Sequence, residues 1–219
     1  MFYSFSKLFN LGITETRGGG TMEIVLIGRS NVGKSSVIRR LTGKRARIGR
    51  RPGVTRRIFR YRHGELDIVD MPGFGYMAGV SMARQEELKT EIVSYIETHR
   101  RDILFAVQVL DARAFGEIVR RWEGRGQLPV DVEMFQFLKE LELHPIVVAN
   151  KIDLVYPDEW DEVLGDICEK LGMLQPWQQW LDVVVPISAK TGKGVPELKK
   201  LVKQRLSELG QERLRRYFK

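Results

Sequence analysis

An α/β fold with a mostly parallel central sheet follows from three observations. Short apolar strands alternate with amphipathic helices, a glycine-rich loop joins the first strand to the first helix, and 219 residues are enough to enclose one core. Met22–Ile27 is a short apolar run ending at glycine, which predicts a buried strand, and Lys34–Leu41 follows as a helix. Arg57–Arg62 and Leu66–Asp70, separated by His63, Gly64 and Glu65, predict a hairpin. Arg84–Arg100 carries Leu88, Ile92, Tyr95 and Ile96 at helical spacing. Strands over Ile103–Asp111, Pro145–Asn150 and Val183–Ile187 then alternate with helices over Asp131–Leu141, Asp158–Leu171 and Val195–Leu209. The connection Ala112–Val130 is long enough to predict structure of its own.

Composition narrows the class. A 43% hydrophobic share excludes a mostly disordered chain, and the single Cys168 excludes an internal disulfide framework or a cysteine-built zinc site. The apolar runs are all far shorter than a spanning helix, so a cytoplasmic protein without membrane contact is expected. His63, His99 and His144 are scattered and read as surface or turn residues.

Arg17, Gly18, Gly19, Gly20 and Thr21 precede Met22, and consecutive glycine codons before a methionine resemble a translated ribosome-binding site. Residues 1–21 are then either an over-extended leader, with Met22 the true start, or a glycine linker.

The net charge of +8 is unevenly spread. Arg39–Arg62 holds eleven Lys or Arg and no acid, and Lys199–Lys219 holds eight against Glu208 and Glu212. An acidic body with two basic zones points to a polyanionic partner, nucleic acid first. Residues 210–219 read as a basic tail offering a second contact.

The chemistry is carried by four motifs in order. Gly28, Arg29, Ser30, Asn31, Val32, Gly33, Lys34 and Ser35 match G-x-x-x-x-G-K-[ST], with a strand before and a helix after. Such a loop turns backbone N–H groups onto phosphate oxygens, its lysine bridges the β- and γ-phosphates, and its serine hydroxyl ligates Mg²⁺. Asp70, Met71, Pro72 and Gly73 form D-x-x-G at a strand end, placing Asp70 to hold Mg²⁺ through water and the Gly73 N–H to meet the γ-phosphate. Asn150, Lys151 and Asp153 form N-K-x-D. A carboxylate at Asp153 accepts two parallel N–H bonds from guanine, which adenine cannot supply. Asn150 suits the purine N7 and O6 region and the Lys151 stem the ring face. Ser188, Ala189 and Lys190 close that pocket, with the Ala189 N–H at guanine O6. GTP or GDP is therefore the expected ligand, and N-K-x-D argues against a plain P-loop kinase.

With Ser36 extending the first motif, Arg51, Pro52, Gly53, Val54 and Thr55 following it, and Asp70–Tyr76 reading D-M-P-G-F-G-Y, the chain resembles the EngB family of ribosome-biogenesis GTP-binding proteins, in the Era, TrmE and septin group. The resemblance spans about Met22 to Leu209 and implies a Ras-like P-loop GTPase domain: six strands, the second antiparallel, with five helices on both faces. It implies Mg²⁺-dependent GTP hydrolysis, with Thr55 as the switch-loop threonine that joins Ser35 on the metal, and catalytic roles for Lys34, Thr55 and Gly73. It also implies a ribosomal RNA or ribosome-assembly partner on the large subunit, a part in normal cell division and septation, and a monomer. Gly53 and Val54 join the nucleotide-binding set on the same ground. Asn31 resembles the K⁺-coordinating asparagine of cation-dependent relatives, so K⁺ is a second candidate cation.

Three departures stand out: Arg56 replaces the glutamine of bacterial members, Ser188-Ala189-Lys190 replaces their serine-rich closing motif, and Ala112–Val130 is longer. Phe74 stands where many GTPases place the water-orienting glutamine, so intrinsic hydrolysis is expected to be slow. The rival reading is a GTP-controlled protein-interaction switch in cell division without direct RNA binding.

Overall fold

The computed structural model describes residues 21–43, 57–75 and 81–219. Strands β1 (Met22–Ile27), β2 (Phe59–His63), β3 (Leu66–Asp70), β4 (Ile103–Asp111), β5 (Ile146–Asn150) and β6 (Val184–Pro186) form one sheet in the order β2-β3-β1-β4-β5-β6. All neighbouring pairs are parallel except β2 with β3. The helices are α1 (Lys34–Thr42), α2 (Met82–Thr98), α3 (Phe115–Glu123), α4 (Val130–Glu140), α5 (Trp160–Lys170) and α6 (Val195–Glu208).

Alternation along each strand divides the core between two faces. Ile24 and Leu26 of β1 point into a layer with Val37 and Ile38 of α1 and Leu198 and Val202 of α6. Their neighbours Val25 and Ile27 point the other way, against Ile92 and Ile96 of α2 and Met134 and Phe137 of α4. Farther along the same face, α3 and α5 cover β5 and β6 through Val119, Leu164, Ile167 and Cys168. Each such buried aliphatic side chain contributes about 1.5–3 kcal/mol. The strand order reverses at β1, which is where an open parallel sheet leaves a crevice at its strand ends.

Two expectations change. The long connection after β4 contains α3, giving six α-helices among the described residues where five were expected. Residues 210–219 are no detached tail: a 3₁₀ turn over Glu212–Tyr217 packs on the β2–β3 hairpin, with Leu214 and Phe218 fully buried in the α1–α6 layer. His63 Nε2 lies 2.8 Å from the Tyr217 carbonyl oxygen, and His63 is buried, not a surface residue. Glu65 accepts from Arg213 at 2.8 Å and from the Tyr217 hydroxyl at 3.0 Å, and also pairs with Arg216. Among the described residues, no helix is long and apolar enough to cross a membrane.

Candidate nucleotide site

The loop from Gly28 to Gly33 leaves β1 at the reversal point and enters α1 through Gly33, whose backbone is left-handed (φ 100°) and which caps the helix without a side-chain bond. The first N–H groups of α1 therefore face the crevice as an anion site. Lys34 lies across this loop, its Nζ donating to the carbonyls of Gly28 (2.8 Å) and Arg29 (3.0 Å). Burial pulls its pKa down to about 8, with the Asp70 and Asp131 charges opposing the shift. An ammonium held this way is short of negative charge, which phosphate oxygens would supply.

Ser35 Oγ donates to Asp70 Oδ2 at 2.8 Å, while Asp70 Oδ1 is buried with no hydrogen-bond partner. Desolvation raises the Asp70 pKa, against the Lys34 charge and the Ser35 bond. A hydroxyl beside an orphaned carboxylate oxygen fits a hydrated Mg²⁺ whose remaining ligands come from phosphate. Among the described residues no cluster of acids, histidines or cysteines forms a metal cage.

The D-x-x-G turn lies directly against the phosphate loop. A β-carbon on Gly73 would fall 2.5–2.8 Å from Ser30 Oγ, Cα and N, so only glycine fits there. Met71 and Pro72 carry the chain to this contact, both buried. Ser30 N donates to the Phe74 carbonyl at 3.3 Å, and Arg29 and Phe74 form a parallel bridge that prolongs the β1–β3 pairing. The Phe74 ring is buried in the core cluster that also holds Ile92, Met134 and Phe137.

At the far end, Asn150 differs from its expected use. Its Nδ2 donates to the Val32 carbonyl at 2.7 Å and its Oδ1 accepts from the Ala189 N–H at 2.9 Å. The Ala189 N–H, expected at guanine O6, is thus engaged by Asn150, and Asn150 joins the phosphate loop to the closing loop. Lys151 Nζ pairs with Asp111 Oδ2 at 2.5 Å. Asp153 is exposed on a 3₁₀ turn over Ile152–Leu154, without a partner among the described residues. Ser188 is buried and accepts from the Thr191 N–H at 3.0 Å, and Lys190 is exposed. Asn31 is exposed with φ 67°, and Ser36 N bonds back to the Gly33 carbonyl. Gly53, Val54 and Thr55 lie outside the described residues, as do 1–20 and most of the basic run.

Of that basic run, Arg40 donates to the carbonyls of Ala189 (2.8 Å) and Lys190 (2.5 Å), Arg60 pairs with Glu23 at 2.9 Å, and Arg62 pairs with Asp67 at 3.6 Å. Sequence reading missed Arg40, Asp111 and Asp131 as parts of the site's support. None sits in a motif; Asp111 ends β4, Asp131 lies in the first turn of α4 and Arg40 in the last turn of α1.

A phosphate loop at the sheet's reversal point, D-x-x-G against it and N-K-x-D beyond β5 define a P-loop GTPase. Residues 23–151 match the family model of the 50S ribosome-binding GTPases. The chain is 52% identical over 200 residues to a probable GTP-binding protein EngB of Methanopyrus kandleri, covering 90% of this chain and 98% of that one. A crystal structure of a probable EngB superposes with a TM-score of 0.77 at 44% identity, covering 85% of this chain and 99% of the other. Era in complex with MgGDPNP and nucleotides 1506–1542 of 16S ribosomal RNA is more distant, at TM-score 0.58 and 26% identity, covering 84% of this chain and 56% of Era's. The chain belongs to the EngB family of GTP-binding proteins, a family of GTP-hydrolysing proteins.

Proposed function

We propose that this protein is a slow, Mg²⁺-dependent GTPase switch of the cytoplasm whose GTP state docks on ribosomal RNA or an assembling large ribosomal subunit. The observation that carries the switch reading is Phe74. The side chain that follows D-x-x-G is committed to the core, so the chain binds nucleotide without a residue there to orient water. Turnover then depends on a partner or a cation. The ribosomal partner is supported by the family's description, by Era's RNA complex and by the cations concentrated between α1 and β2.

In this reading the N–H groups of residues 29–36 wrap the phosphates and Lys34 spans the β- and γ-positions. Ser35 and Thr55 would hold Mg²⁺, Asp70 would offer its unpaired Oδ1 to the hydrated ion, and the Gly73 N–H would sense the γ-phosphate. Mg²⁺ supplies charge neutralisation of the phosphates. Asp153 reads guanine, with Lys151 under the ring and Ala189 and Lys190 closing the edge. Asn31, exposed at the loop apex, is the K⁺ ligand. The GTPase domain begins at residue 22 and includes the packed turn at Glu212–Tyr217 with Phe218, and a role in cell division follows from the supply of ribosomes.

Co-sedimentation of the full chain with ribosomal subunits tests the proposal. Binding to the large subunit with a non-hydrolysable GTP analogue, weaker binding with GDP, and steep weakening with salt are expected. Equal binding in both nucleotide states would remove the switch. Failure to bind RNA-bearing particles at all would favour a protein partner.

A further inference from the structure

Beside the phosphate loop lies a buried polar knot in which loop residue Arg29 meets Asp131 and Gln108, two residues outside the nucleotide motifs. Arg29 Nη1 stands 3.8 Å from Asp131 Oδ2 in the first turn of α4, with the two side chains 14% and 2% exposed. Gln108 of β4 fixes that turn by donating from Nε2 to the Asp131 carbonyl at 2.7 Å. Arg29 Nη1, Asp131 Oδ1 and Gln108 Oε1 are all buried without a hydrogen-bond partner. Orphaned polar atoms in such numbers are uncommon in a core and concentrate where an arrangement is held for function.

What the knot holds is the strand that senses the γ-phosphate. The Arg29 backbone is bridged to Phe74, and its guanidinium lies under Gly75, where a β-carbon would come within 3.1 Å of Cζ and Nη1. Pulled towards Asp131, the Arg29 side chain clamps Gly73–Gly75 onto Ser30. Drawn the other way, it would leave Gly73 free to move off the phosphate loop. GDP needs only the loop; GTP needs Gly73 as well.

We propose that Asp131 is a positioning residue for the GTP state: through Arg29 it keeps the Gly73–Gly75 segment docked against the phosphate loop, so that its loss weakens GTP binding while sparing GDP. The inference rests on the reading of Gly28–Ser35 as the phosphate loop. It is a coupling between the γ-phosphate position and α4, a helix that meets no nucleotide atom in that reading.

The test measures affinities of the full chain for fluorescent GDP and a fluorescent non-hydrolysable GTP analogue, for wild type, Asp131→Asn and Asp131→Glu. Asp131→Asn is expected to lower the GTP-analogue affinity about tenfold and to move GDP affinity less than about twofold, with partial recovery in Asp131→Glu. Equal losses for both nucleotides, or none for either, would overturn the inference, since a merely structural carboxylate would not separate them. If Asp131→Asn does not fold, Asp131→Glu, which keeps the charge but moves it by one methylene, must still lose more affinity for the GTP analogue than for GDP. A wild type that binds neither nucleotide would instead overturn the phosphate-loop reading beneath it.

Discussion

Asp131 shows at the scale of one residue how position and stability pull apart. Burial pushes its carboxyl up to about 6, with the Arg29 and Lys34 charges pulling it partly back. Its folded value lies above the ordinary carboxylate value, so between about pH 4 and pH 6 the folded state holds more protons than the unfolded one. The contribution is therefore fully present below about pH 4 and is lost as pH rises through about 6. A carboxyl raised from about 4 to about 6 corresponds to about 2–3 kcal/mol. Asp131→Asn has no proton to lose, so wild type should fall relative to the variant by about that amount between about pH 4 and pH 7 in urea unfolding. Parallel pH profiles would show that the carboxylate is not desolvated. A residue that costs stability at neutral pH and is nonetheless tied to the sensing strand fits a positioning role better than a packing one.

At the scale of elements, the site is a set of strand ends braced against one another. Asn150 at the end of β5 joins two of them, donating to Val32 in the phosphate loop and accepting from Ala189 after β6. Asn150→Ala would leave a buried carbonyl and a buried N–H unpaired, each costing about 1–3 kcal/mol. It should lower stability even without nucleotide, by about 2–5 kcal/mol in chemical denaturation. Loss of nucleotide affinity at unchanged stability would return Asn150 to the purely base-reading role its motif suggests. The same element shows what was legible in the sequence. Strands and helices stood out because alternate burial and helical periodicity are local, and the phosphate, D-x-x-G and N-K-x-D turns because their chemistry demands particular residues in a short span. The partners of those residues were not legible: Asn150 to Val32, Lys151 to Asp111 and Arg29 to Asp131 join positions far apart in the chain, brought together only by sheet order. The helix α3 was foreshadowed by connection length, but Arg113 and the glycines around it blurred its limits.

For the whole molecule, ion pairing leaves the net surplus of +8 unchanged, but many of the cations are held by the fold instead of standing free. Arg40 holds the closing loop, Arg60 and Arg62 meet Glu23 and Asp67, and Arg205 pairs with Glu208 at 3.0 Å. Arg213 and Arg216 converge on Glu65. The last turn is thus a clasp: Leu214 and Phe218 enter the core, and Tyr217 lies against the β2–β3 hairpin through His63 and Glu65. A detached basic tail and a clasp make opposite predictions for a chain ending at Gly210. Removing a tail would leave thermal stability unchanged and weaken only salt-sensitive binding to RNA. Removing the clasp empties the space of a buried phenylalanine and a buried leucine, and loss of the phenylalanine alone costs about 3–5 kcal/mol. For a protein of this size each kcal/mol lowers Tm by about 2–4 °C, so the truncated chain should melt at least about 6 °C lower. Phe218→Ala in the full chain, which keeps every cation, should reproduce most of that drop, as a tail acting only through its charge would not.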